Sequence, residues 1–94
     1  MYFEPIDDKP VLMPVKSTSK AAAYDLFARQ SCVVEAGQVA LIRTGVRTKL
    51  PDHVVGLVCS RSGLALKSSV FVLNAPGVID ADYDQEIGVI LCNA

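Results

Sequence analysis

The 94-residue chain is long enough for one small domain, and its nine basic and ten acidic residues leave a formal charge of -1. This balance excludes the basic surface that binding to duplex nucleic acid or to an anionic membrane requires. Hydrophobic residues make up 51% of the chain. Because a domain of this size leaves much of its surface unburied, the composition predicts association with further copies of the chain.

The sequence has the features of an intracellular, soluble protein of the cytoplasm or nucleus. No apolar run approaches the length of a membrane span, and residues 1–5 do not begin a secretory signal. Three cysteines, Cys32, Cys59 and Cys92, are far apart among apolar neighbours, and His53 is the only histidine. This pattern argues against a zinc site and predicts buried thiols in a reducing compartment.

The predicted elements are short and mostly β. Residues 17–23 combine helix-cap residues with alanines, which allows either a helical turn or, as we favour, an extended or looped segment. The rest alternates β-branched runs with turn residues. Strands are predicted at 33–34, 39–42, 46–50, 54–59, 70–73 and 87–91, with turns at 35–38, 51–52 and 82–85. The sum is an all-β domain, either a sandwich or a barrel.

The first candidate constellation runs from Gly77 to Tyr83. Asp80 and Asp82 flank a small residue at a turn, and Asp80 directly follows Val78 and Ile79. A carboxylate at a strand end beside apolar walls can be desolvated enough to act as a general base on water. The alternative is a pair of solvated turn caps.

The second and third constellations are polar groups near predicted strands. In Ser60-Arg61-Ser62-Gly63, the guanidinium, the hydroxyl and the unobstructed glycine N–H are the groups of a phosphate-binding turn, although an ordinary polar loop has the same composition. Asp25 is the only charged residue between Lys20 and Arg29. Such an aspartate is either a turn former or a partner of a metal.

In this order and spacing, the three strings resemble the motifs of the dUTPase family. A-A-Y-D-L-F-A is similar to the first motif, S-R-S-G-L-A to the second and N-A-P-G-V-I-D-A-D-Y to the opening of the third. Arg61 lies thirteen positions before Asn74, and Asn74 six before Asp80. The resemblance runs from about Pro10 onward and includes Thr44-Gly45-Val46. It implies one dUTPase-like domain over residues 1–94, with an all-β fold of distorted-barrel or jelly-roll type.

The resemblance also implies an activity, the hydrolysis of dUTP to dUMP and pyrophosphate, which controls the dUTP level and supplies dUMP for thymidylate synthesis. Asp80 is then the catalytic residue that activates water for attack on the α-phosphorus, and Tyr83 packs under the deoxyribose. The uracil edge is read largely by main-chain groups of the third-motif hairpin. The substrate-binding residues implied there are Asn74, Gly77, Val78, Ile79, Asp80, Tyr83 and Gly88.

The family's sites are shared between subunits of a homotrimer, so the resemblance implies that Arg61, Ser62 and Gly63 hold the phosphates of a neighbouring subunit's substrate. It implies Mg²⁺ as the cofactor, chelated by the three phosphates and by water. Asp25 would touch those waters as an outer-sphere partner, and no residue is expected to be a direct metal ligand. Neither nucleic acid nor a membrane is an expected partner.

The sequence departs from the family pattern in three ways. Gln85 stands where glycine is usual, which predicts a strained turn if that position requires a positive φ. Ser60 replaces the usual proline or alanine, a change of little expected effect. The chain also lacks the fourth motif, the C-terminal strand and the glycine-rich fifth motif.

That last departure predicts either a shortened form of a longer enzyme or a catalytically impaired domain that binds nucleotide or a protein. The related dCTP deaminase branch needs a differently placed glutamate, and the string I-D-A-D-Y argues against it.

Overall fold

The computed structural model describes all 94 residues, with seven strands and one short helix. In chain order the elements are β1 (Tyr2–Pro5), β2 (Val39–Arg43), β3 (Val46–Lys49), β4 (Gly56–Val58), α1 (Ser62–Ser68), β5 (Val70–Val72), β6 (Gly77–Ile79) and β7 (Gly88–Asn93). The all-β prediction is confirmed. Strands β2, β3, β5 and β7 lie where the sequence predicts them, with ends shifted by a residue or two.

All strand pairs are antiparallel. They form a three-stranded sheet in the order β2-β7-β5 and two ribbons, β1 with β3 and β4 with β6. The longest pairing joins β2 and β7, from Val39 opposite Cys92 to Arg43 opposite Gly88. Strand β7 is the central strand and pairs with both β2 and β5. The turn at residues 80–87, which leads into β7, is therefore anchored on the sheet at its C-terminal end.

The core lies where the β2–β3 connection meets β5 and the start of β7. Its apolar members are Ile42, Val46, Val72 and Ile87. Thr44 is also buried, and its hydroxyl donates to the Ile87 carbonyl at 2.7 Å, which satisfies both groups.

Only nine of the 94 residues are buried, so this core is small for so apolar a sequence. Large hydrophobic side chains remain outside, with Leu66 85% and Val33 80% exposed. The single chain therefore carries the unburied apolar surface that its composition predicts. No helix is both long enough and apolar enough to cross a membrane.

Residues 17–23 form a loop, as favoured from the sequence. Ala21 N–H donates to the Thr18 carbonyl at 3.2 Å in a single turn, and no helix follows. Beyond it, Asp25 pairs with Val15 in an isolated antiparallel bridge, with the Asp25 N–H 2.7 Å from the Val15 carbonyl. The alanines are mostly exposed, so they add little burial that could hold a helix together.

Several expectations are wrong. Residues 33–34 form no strand, and the run 54–59 contains only the three-residue β4, with Val54 and Val55 exposed. The thiols are not buried: Cys32 and Cys59 are exposed and Cys92 is half-buried. Apolar sequence neighbours did not bury them because the neighbouring residues themselves lie largely at the surface.

Candidate active site

A cavity of about 220 Å³ lies between the β4–β6 ribbon and the β5–β7 part of the sheet, and we call it the hairpin pocket. It gathers most of the residues that the third-motif resemblance implies for substrate binding, namely Asn74, Gly77, Val78, Ile79, Tyr83 and Gly88. The other lining residues are apolar: Val58, Val72, Ile87, Val89 and Ile90. A small apolar cavity with a few polar and main-chain groups is the usual composition of a small-molecule site.

Strand β6 forms one wall of the hairpin pocket because of its pairing with β4. Gly77 lies opposite Val58, and Val78 lies opposite Leu57. The chain reaches β6 through a tight turn in which Ala75 N–H donates to the Val72 carbonyl at 3.2 Å. Leu73 N–H then donates to the Ile90 carbonyl at 2.9 Å, so the turn is tied to β7 on the opposite wall.

Asp80 comes directly after β6, at a strand end as predicted, but it is exposed and is not part of the pocket wall. The apolar surroundings expected from Val78 and Ile79 are incomplete in the single chain, since Val78 is itself 63% exposed. The Asp80 carbonyl accepts the Tyr83 N–H at 3.1 Å. This bond closes the turn after β6, and Tyr83 at the end of the turn lines the pocket.

Tyr83 lines the pocket, and its hydroxyl donates to the Glu86 carbonyl at 2.8 Å. Sequence reasoning missed Glu86. Its carboxylate accepts the Gly45 N–H at 2.8 Å and the Arg43 Nε–H at 3.0 Å. The one signal that could have drawn attention to it is its position immediately before the apolar run at 87–91.

Gln85 does not have a positive φ, so the strain expected if its position required one does not arise. Ser69, which ends α1, is the only residue other than glycine with a positive φ, 55°. The Gln85 side chain donates to Asp84 Oδ1 at 2.8 Å. The turn therefore accepts glutamine without requiring the left-handed conformation.

The second motif forms a helix start rather than an open loop. Arg61 is the extended residue before α1, and Ser62 and Gly63 are exposed in the first helical turn. Arg61 also lines a second cavity of about 380 Å³, here called the apolar cavity, together with Asp25. Ser62 and Gly63 line neither cavity.

The candidate residues thus fall into two groups in the single chain, the hairpin pocket and the Arg61–Asp25 region. The two cavities share a wall formed by Val58, Val72 and Val89. No cluster of three or more histidine, cysteine, aspartate or glutamate side chains that could hold a metal ion comes together.

The groups with clearly perturbed pKa values lie away from both cavities. The Arg47 guanidinium holds the pKa of the Glu4 carboxyl below its ordinary value, through a hydrogen bond of 2.6 Å. The Arg29 guanidinium acts in the same way on the pKa of Asp7, also at 2.6 Å. These pairs fix the N-terminal segment beside β3 and the β2–β3 connection, so they support the fold rather than the pocket.

Together, the elements form an all-β domain in which strand β6 and the turn after it line a small, mostly apolar cavity. The dUTPase family model matches residues 9–94, and the chain belongs to the dUTPase family.

Relatives of the chain are named as dUTPases or, in full, as deoxyuridine 5'-triphosphate nucleotidohydrolases. The deoxyuridine 5'-triphosphate nucleotidohydrolase of Alkaliphilus metalliredigens is 51% identical over 72 residues, which is 77% of this chain and 50% of that protein. The solved dUTPase of Streptococcus mutans is 31% identical, with a TM-score of 0.87 over 99% of this chain and 79% of that one. A mutant dUTPase of phage phi11 of Staphylococcus aureus, whose structure describes a coordinated structural Mg(II) ion, is 31% identical with a TM-score of 0.86, over 97% of this chain and 57% of that one. The chain spans 50% to 60% of the length of curated relatives that it matches.

Proposed function

We propose that the protein hydrolyses dUTP to dUMP and pyrophosphate inside the cell, in the cytoplasm or nucleus, where it limits the dUTP level and supplies dUMP for thymidylate synthesis. The observation that carries the proposal is the hairpin pocket, because it is lined by most of the residues that the third-motif resemblance implies for uracil and deoxyribose. Family membership favours this activity over a catalytically impaired nucleotide-binding or protein-binding domain.

The pocket is suited to read a base by its edge. Main-chain groups of Gly77, Val78 and Ile79 run along one wall, and the Asn74 amide lies beside them. The family resemblance implies that the donors and acceptors fixed by this strand match the uracil edge and mismatch cytosine. A mismatched base would leave buried polar groups unpaired, which makes such discrimination steep.

Asp80 is the proposed general base. It directly follows the pocket-lining strand β6, and its carbonyl is fixed by the Tyr83 N–H. A general base needs a carboxylate within reach of the attacking water and partly shielded from bulk solvent. Since Asp80 is exposed in the single chain, the shielding would come from the substrate and from neighbouring subunits.

Mg²⁺ is the proposed cofactor, held mainly by the substrate's phosphates and by water. The donor groups fit this arrangement, since Asp25 is half-buried and lines the same cavity as Arg61. Asp25 would accept hydrogen bonds from the ion's waters. The ion would supply charge neutralisation for the leaving pyrophosphate.

We further propose a homotrimer with sites at subunit interfaces. Arg61, Ser62 and Gly63 lie outside the hairpin pocket, as expected of groups that hold the phosphates of a neighbour's substrate. The exposed apolar side chains offer surface for such contacts. Light scattering of the purified protein tests the trimer directly, and a monomer would contradict it.

The activity is tested with protein expressed from its full reading frame. We expect Mg²⁺-dependent release of pyrophosphate from dUTP, and much slower release from dCTP, dTTP and UTP. Equal rates on all four nucleotides would contradict the assignment of the pocket to uracil and deoxyribose. No release from dUTP would contradict the activity itself.

A further inference from the structure

Glu86 connects the turn that carries Asp80 and Tyr83 to the β2–β3 connection. Its side chain is 21% exposed. One carboxylate oxygen, Oε2, accepts the Gly45 N–H at 2.8 Å, and the Arg43 Nε–H lies 3.0 Å from Oε1 and 3.3 Å from Oε2. Hydrogen bonds to an ionised carboxylate are among the stronger ones in proteins, so this contact fixes the side chain well.

The backbone around Glu86 is fixed from both sides. The Glu86 carbonyl accepts the Tyr83 hydroxyl at 2.8 Å. The next residue, Ile87, donates its N–H to the Val46 carbonyl at 2.8 Å and accepts from the Thr44 hydroxyl at 2.7 Å. Thr44 and Val46 are almost completely buried, so the partners of this segment belong to the rigid core.

We propose that Glu86 is a positioning residue, which fixes the Tyr83 ring on the wall of the hairpin pocket and thereby sets the selectivity for deoxyribose over ribose. This inference rests on the proposed function. Tyr83 is exposed enough to move, at 41%, and its hydroxyl is bonded only to the Glu86 carbonyl. The ring therefore stays in place only as long as residue 86 does.

The Gly45 N–H is the more important partner of the carboxylate. Gly45 is buried and has a φ of +74°, and its N–H finds no carbonyl acceptor. The Arg43 side chain is 58% exposed, so water competes for its bond. Glutamine at position 86 keeps an oxygen that can accept the Gly45 N–H, whereas alanine leaves that N–H unpaired.

The experiment compares Glu86→Ala, Glu86→Gln and Tyr83→Phe with the unchanged protein from the full reading frame. Glu35→Ala is the matched control, because Glu35 is exposed and its side chain makes no hydrogen bond. The readout is the ratio of kcat/KM for dUTP to kcat/KM for UTP. If Glu86 only stabilised the fold, Glu86→Ala would lower the unfolding free energy and leave this ratio unchanged.

We expect the ratio to fall about tenfold in Glu86→Ala and in Tyr83→Phe, the change that the loss of one well-placed hydrogen bond gives. It should stay within about threefold in Glu86→Gln and be unchanged in Glu35→Ala. The double variant of Glu86→Ala and Tyr83→Phe should lose no more than either single one, because both act on the same ring. An unchanged ratio in a folded Glu86→Ala protein, or an additive double variant, would overturn the proposal.

A second measurement does not depend on turnover. Tyrosine-ring NMR signals should move for Tyr83 in Glu86→Ala, while those of Tyr2 and Tyr24 stay in place. Should Glu86→Ala fail to fold, an unchanged ratio in Tyr83→Phe overturns the proposal. If the unchanged protein does not act on dUTP, the proposed function is contradicted. The positioning role is then tested by NMR alone, and Tyr83 ring signals that do not move in Glu86→Ala would contradict it.

Discussion

The side-chain amide of Asn74 lies directly over Gly77, such that a Cβ atom on Gly77 would come 3.3 Å from Asn74 Nδ2. Gly77 is buried and pairs with Val58, whose own Cβ would be 3.5 Å from the added atom. The absence of a side chain at Gly77 therefore sets how closely the Asn74 amide approaches the pocket wall.

Gly77→Ala should weaken dUTP binding through Asn74. The added methyl group has to push the amide away by a few tenths of an ångström. We expect KM for dUTP to rise about fivefold while the unfolding free energy falls by about 1 kcal/mol, the lower end for overpacking. Steady-state kinetics and urea unfolding measure the two effects. In an Asn74→Ala background the methyl group keeps only an ordinary van der Waals contact with Val58, at 3.5 Å, so Gly77→Ala should then add little to KM. An equal effect in both backgrounds would contradict this explanation.

Asp80→Asn should abolish turnover and leave dUTP affinity nearly unchanged. The amide has almost the same shape as the carboxylate but cannot take a proton from water. Calorimetric titration with a non-hydrolysable dUTP analogue measures affinity apart from the chemical step. Asp82→Asn is the matched control, because it removes the same charge two residues away. An affinity that falls as far as the rate would make Asp80 a binding residue instead.

Gln85→Gly tests whether this turn prefers glycine, as the family pattern suggests. Because Gln85 does not have a positive φ, glycine relieves no strain and only adds freedom to the unfolded chain. It also removes the hydrogen bond to Asp84. We expect the unfolding free energy to fall by about 0.5–1 kcal/mol, with rates within about twofold. A more stable variant would show that the turn does favour a left-handed residue.

The strands and site residues that could be predicted from the sequence are those that depend on the residue types of one short segment. Strands β2, β3, β5 and β7 follow from β-branched runs between turn residues, and most residues that line the hairpin pocket come from one contiguous stretch that begins at Asn74. Strand β1 was not predicted, because it is four residues long, ends in proline, and pairs only with β3, far along the chain. Such a pairing leaves no periodic signal in its own segment.

Helix α1 and the contacts of Glu86 were not predicted from the sequence, for different reasons. Helix α1 starts without a side-chain cap and contains Gly63, so it lacks the usual start signal, and Ser69 ends it with an αL residue that is not glycine. Glu86 depends on the β2–β3 connection, more than forty positions earlier in the chain. A single carboxylate before a strand does not show which distant N–H it will meet.

The Asp7–Arg29 pair should make the fold sensitive to acid. The Arg29 side chain is 11% exposed, and its guanidinium donates to Asp7 Oδ1 at 2.6 Å. This bond, with that from the Lys9 N–H, holds the pKa of Asp7 below its ordinary value of 3.8. A carboxyl group whose pKa is lower in the folded state than in the unfolded state stabilises the fold at pH values above its unfolded-state pKa. That stability is lost as the pH falls through 3.8 to the lower folded value.

Asp7→Asn should therefore lower the unfolding free energy most at about pH 7, and the difference from the unchanged protein should shrink as the pH falls below 3.8. Arg29 keeps its charge throughout, because a guanidinium stays protonated across this pH range, and the bond to Asp7 raises its pKa further. Urea unfolding across this pH range measures the difference. Asp8→Asn is the control, since Asp8 is exposed and its carboxylate makes no hydrogen bond or ion pair. A difference between Asp7→Asn and the unchanged protein that stays constant with pH would show that lost packing, not the charged pair, causes the destabilisation.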